Sequence, residues 1–143
     1  MTTSVRIVTT LLLLVSSSSC LATTNQDLDD ELSQRCLSTF DFVKKQDLAA
    51  FMAQMPPEHT KGQEKRLKKI LERAHKRRFG NGDIKSIDIT NVTYKDINKN
   101  KQEGFGELEQ AKVKLLITSS SRESHVSCKF MRTTEGWFLS SLP

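Results

Sequence analysis

GFGELEQAKVKLLITSSSRESHVSCKFMRTTEGWFL, residues 104–139, is the stretch whose reading decides the fold. In it Ala111, Val113, Leu115 and Ile117 alternate with Gln110, Lys112, Lys114 and Leu116. After a polar turn, Val126, Cys128 and Phe130 alternate with His125, Ser127, Lys129 and Met131. A period of two over successive segments means strands with one face turned to a core. Gly136, Trp137, Phe138 and Leu139 begin a third strand, and turns at 119–123 and 133–136 make the three antiparallel. Just upstream, residues 83–97 predict a fourth, longer strand. There Ile87 and Ile89 hold one phase while Val92 and Tyr94 hold the other, so a bulge near Thr90 and Asn91 must bend it.

The apolar face of such a sheet needs a cover, and the preceding residues supply it. Leu28, Leu32, Cys36, Phe40 and Val43 recur at helical spacing within 27–45 and predict a first helix. Gln46 and Asp47 interrupt it, and Asp47 can cap a second, shorter helix over 48–55, which places Leu48, Phe51, Met52 and Met55 on one side before Pro56 and Pro57. A third helix over 61–79 carries a narrow stripe of Leu67, Ile70, Leu71 and Ala74 and stops at Gly80, Asn81 and Gly82. The expected class is therefore α+β: three N-terminal helices packed on a curved, mainly antiparallel four-stranded sheet. A chain of 143 residues is enough for one such domain, placed at 27–143. Between the first two strands of the expected order, residues 95–106 form a hydrophilic loop whose tip, 98–101, is a candidate mobile segment.

The first residues read differently. Arg6 is the only charge before an apolar run at 7–15, followed by serines at 16–19, which is the pattern of an export signal over 1–19 with a tether at 20–26. The run is shorter than the roughly 20 apolar residues that span a bilayer. Ser17, Ser18, Ser19 and Cys20 resemble the lipobox of bacterial lipoproteins, although Ser17 stands where leucine is usual. Cleavage before Cys20 would leave it lipidated and the protein anchored in the envelope, facing the periplasm. Cleavage before Thr23 would release the protein instead. With Cys20 acylated or removed, Cys36 and Cys128 remain, both on apolar phases. They either bridge helix to sheet or stay as two buried thiols.

Charge is concentrated in one place. Residues 61–79 hold nine lysines and arginines against Glu64 and Glu72, while the whole chain carries a net charge of only +5. The helical period turns Lys65, Lys68, Lys69, Lys76 and Arg77 to water, where they form either a solvated face or a docking face for an acidic protein or the anionic envelope surface. Export and the lack of aromatic platforms on that helix argue against nucleic acid.

Three features carry a resemblance to a known fold: the break at Lys45, Gln46 and Asp47; the strand opening at Glu109, Gln110, Ala111, Lys112 and Val113; and the closing Glu135, Gly136, Trp137, Phe138 and Leu139. With the element order they resemble the nuclear-transport-factor-2-like fold, a cone with helices packed in the concave side of a curved sheet, and more narrowly the small uncharacterised bacterial lipoproteins that share it. The resemblance implies a fold and a lipoprotein habit, and no reaction. Enzymes of this fold place an aspartate or histidine inside the cone. The inward phases here are apolar, so no catalytic residue is assigned. If the phases were misread, Asp88, Tyr94 and His125 would be the group serving a small periplasmic isomerase or hydrolase. His59, His75 and His125 lack ligand spacing to one another or to cysteine, so neither a metal nor a cofactor is expected. The leading expectation is a non-catalytic envelope lipoprotein that acts as a binding module.

Overall fold

The computed structural model describes residues 25–97, 102–103 and 106–143. Helix α1 (Asn25–Lys45) comes first, then α2 (Leu48–Met52), α3 (Pro57–Thr60) and α4 (Glu64–Phe79). Strands β1 (Ile84–Asp96), β2 (Glu109–Ser119), β3 (Glu123–Thr133) and β4 (Gly136–Ser141) follow. The strands form one antiparallel sheet in the order β1-β2-β3-β4. The α+β class with helices preceding a four-stranded sheet stands as expected. Three helix boundaries differ: Asn25 and Gln26, expected in the tether, begin α1; the second helix stops at Met52; and the helix expected from 61 begins at Glu64. Pro57 then opens an additional single turn instead of merely ending a helix, because proline at the first helical position gives up only an N–H that would have no partner.

Local chemistry explains the break between α1 and α2. Gln46 adopts a left-handed backbone with φ of 52°, its N–H donates to the Val43 carbonyl at 3.2 Å, and the Asp47 N–H donates to the Phe42 carbonyl at 2.8 Å. These bonds satisfy the last carbonyls of α1 and turn the chain. Asp47 then accepts the Ala50 N–H at 3.0 Å, the cap expected of it. At the end of α4, Gly80 is required by space: any Cβ there would collide with the Lys76 carbonyl.

The register of β1 against β2 contains two shifts. Ile89 pairs with Leu115 and Asn91 with Lys114, leaving Thr90 as the extra residue that the phase change in the sequence demands. This bulge brings Ile87, Ile89, Val92 and Tyr94 to the same face, opposite Ile117, Leu115, Val113 and Ala111 respectively. A second shift between Ile84 and Ser86, not foreseen, returns Ile84 to the core side as well.

Helix α1 lies against that face. Leu32, Cys36, Phe40 and Val43 are buried among Ala111, Val113, Leu115, Cys128, Phe130 and Leu139. Each side chain of Leu or Phe size buried this way contributes about 1.5–3 kcal/mol. Phe42, off the expected stripe, is buried too, stacking on Phe51 of α2 with ring centroids 5.8 Å apart. Cys36 and Cys128 are at disulfide distance, with Cα atoms 5.8 Å apart and 92 residues between them in sequence. The buried Thr39 hydroxyl sits 3.9 Å from the Cys128 sulfur while donating to the Cys36 carbonyl. No helix among the described residues is long and apolar enough to cross a membrane.

Candidate functional site

Helix α4 packs through Leu67, Leu71 and Ala74, and His75 Nδ1 lies 3.1 Å from the Val43 carbonyl at the end of α1. That fixes which face remains outside. Lys65, Lys68, Lys69, Lys76 and Arg77 are all exposed, as are Arg66 and Arg73. The two ion pairs among the described residues, Arg35 with Glu31 and Arg132 with Glu109, lie elsewhere. Seven cations of α4 therefore face solvent without a carboxylate within ion-pair distance among the described residues.

The seven do not form one uniform surface. Lys65, Arg66, Lys69 and Arg73 line an open cleft of about 580 Å³ together with Gly62 and Ile70. Lys68 and Lys76 are exposed on the same helix outside that lining. Arg77 also lines a small cleft with Arg78, Asn81, Gly82, Ser119, Arg122 and Ser124 and the apolar Ile84 and Ile117. Arg78 was not singled out from the sequence, although it continues the buried stripe four residues after Ala74. A cation on such a stripe has to find an acceptor, and its Nε donates to the Pro143 carbonyl at 3.0 Å. Its pKa lies below the ordinary arginine value because of burial first, then the charges of Arg77 and Arg122.

The residues weighed as a catalytic group do not meet. The bulge sends Tyr94 to the inner face, whereas Asp88 pairs with Leu116 and Leu116 with His125, which places Asp88 and His125 on the outer, exposed face. Asp88 accepts a bond from Ser86 Oγ at 3.0 Å. Simple alternation along β1 would put Tyr94 and Asp88 on one face; the extra residue at the bulge inverts every side chain beyond it and separates them. Met131, expected on the outer phase, is nevertheless buried; its register partners there are Gln110 and Phe138. No group of three or more metal-ligating side chains occurs among the described residues. Cys20 and the loop tip 98–101 lie outside the described residues.

At the other end of the sheet sits a polar cluster that the strand and helix periods do not reveal. Tyr94 OH donates to Asp29 Oδ1, and the Tyr94 ring meets Trp137 edge-on with centroids 6.0 Å apart. Arg35 Nη1 donates to the Trp137 carbonyl at 2.9 Å, its Nε donates to Gln54 Oε1 at 3.1 Å, and its guanidinium lies over Phe130, 5.3 Å from the ring centroid. These contacts tie α1 to both ends of the sheet order. They leave no unpartnered buried polar side-chain atom among the described residues, so the cluster reads as a clasp.

No protein-family model and no curated protein matches the sequence. Among solved structures the chain is similar to a Campylobacter jejuni protein named as an NTF2-like transpeptidase, with 13% sequence identity, 79% of this chain and 96% of that chain covered, and a TM-score of 0.49. At that identity and score the likeness says nothing of activity. The fold class stated above rests on the chain's own helices and strands.

Proposed function

We propose that this chain is a non-catalytic binding module of the nuclear-transport-factor-2-like kind, held at the cell envelope through Cys20, whose α4 docks on an anionic membrane surface. The observation that carries this reading is the set of seven exposed, unpaired cations on one helix of a domain whose remaining residues are close to neutral or acidic. A cysteine pair at disulfide distance supports an oxidising compartment, in keeping with export. A tether that brings the domain to lipid would make weak, additive attraction sufficient. Each lysine close to an anionic surface contributes about 1 kcal/mol, and the attraction is screened within a Debye length of about 10 Å at 0.1 M salt.

Co-sedimentation with phosphatidylglycerol vesicles at low salt tests the reading. Replacing Lys65, Lys68, Lys69 and Lys76 with glutamine should reduce binding by about a thousandfold, four such contributions at roughly 1.4 kcal/mol per decade. Because all four side chains are exposed, the variant should unfold at the same temperature as the parent protein. Equal vesicle binding by the variant, or capture of an acidic protein in place of lipid, would overturn the surface-docking reading.

A further inference from the structure

The small cleft at the C-terminal end of α4 differs from the rest of the basic face in how it is built. Two turns form it. One is the turn between α4 and β1, where Gly82 has φ of +115° and comes close enough to Ser120 that a Cβ would lie 3.2 Å from the serine oxygen. The other is the turn between β2 and β3, closed by bonds from the Ser119 N–H and hydroxyl to the Arg122 carbonyl, at 3.0 and 2.9 Å, and from the Arg122 N–H to the Ser119 hydroxyl at 3.2 Å. Arg122 is thus held on a short, internally bonded turn pressed against the one that follows Arg77 and Arg78. Three guanidinium groups from two elements line one cleft. Asp83 and Glu123, their acidic neighbours in sequence, form no ion pair with them among the described residues.

Gathering like charges costs free energy that a solvated face avoids by spreading its charges apart. Arg78 is half-buried, and its Nε donates to the oxygen of Pro143 at 3.0 Å. We infer that the cleft between the end of α4 and the β2–β3 turn, walled by Arg77, Arg78 and Arg122, binds a single phosphate-type oxyanion. Planar guanidinium forks match the oxygens of such a group and form the stronger, charge-assisted class of hydrogen bond. Ser119 is committed to its own turn, so Ser124 supplies the available hydroxyl. The cleft is partly open and has a volume of about 30 Å³. A cleft of that size admits the oxygens at one end of a phosphate group and leaves a sugar or a base outside. The ligand is therefore inorganic phosphate or the terminal phosphate of a larger molecule whose body stays outside, such as a phosphomonoester lipid head group. Only the lipid source rests on the surface-docking reading; the site itself does not.

Calorimetric titration of the full-length protein with inorganic phosphate at constant ionic strength tests the site. Arg122→Gln changes an exposed side chain and should weaken phosphate binding about tenfold or more, the effect of losing one hydrogen bond to a charged group. The Lys65, Lys68, Lys69 and Lys76 glutamine variant should bind phosphate as the parent does, even where its vesicle binding is lost. Vesicles containing phosphatidic acid separate the sources when compared with phosphatidylserine vesicles of equal charge. A preference for phosphatidic acid that Arg122→Gln removes supports the site with lipid as its ligand, and phosphate binding without that preference supports it with the free anion. No phosphate binding by the parent, or equal binding by Arg122→Gln, overturns the inference.

Discussion

Tyr94 shows how a single residue records the geometry around it. Burial raises its pKa above the ordinary phenol value, and the bond to Asp29 with the charges of Asp29 and Glu109 raises it further. Because the folded state holds the phenol proton more tightly than the unfolded state, this contribution is complete below about pH 10, the unfolded tyrosine value, and is lost as pH rises beyond it. Urea unfolding followed across pH 8 to 11 should show the parent losing stability relative to Tyr94→Phe above about pH 10, with parallel curves below it. Parallel curves throughout would mean that the folded protein does not hold the Tyr94 proton more tightly than the unfolded chain. Arg35 works at the same scale without titrating, since its fork joins Gln54 and the Trp137 carbonyl while its flat face covers Phe130.

Among the elements, β1 is the one whose sequence contains an instruction and its correction. Its phase change asks for an extra residue, and Thr90 is that residue. Deleting Thr90 should turn Val92 and Tyr94 to the outer face, lose the Tyr94 contact with Trp137, and lower the unfolding free energy by roughly 2 kcal/mol or more. Chemical denaturation of the deletion variant measures this; unchanged stability would show that the strand slips without cost. The bulge was legible because Ile87, Ile89, Val92 and Tyr94 cannot share a face otherwise. The shift beside Ile84 was not, because Lys85 and Ser86 present no competing apolar phase to betray it. For a similar reason the extra turn at Pro57 escaped notice: it buries Thr60 and no apolar side chain, and so leaves no stripe.

For the molecule as a whole, the covalent link between α1 and β3 closes a loop of 92 residues, which in the chain-entropy account stabilises the folded state by about 4–5 kcal/mol. Thiol reduction before urea unfolding should lower the transition midpoint by the corresponding amount without changing secondary structure in water. No shift would mean that the two sulfurs are not joined. The core face, the cysteine phases and the basic helix were all readable, since each depends on a period within one segment. The arginine cleft was not, because Arg78 and Arg122 are 44 positions apart in the numbering and only the packing of two turns unites them. Charge density pointed to α4, yet it could not separate its outward lysines from the arginines at its end.

The bridge also decides what a cut would do. Residues 37–127, with the loop tip at 98–101 among them, lie inside the covalent ring. A peptidase severing one bond there would yield two pieces that migrate as a single band until a reductant parts them. A domain bearing such a nick keeps both halves of its sheet in register.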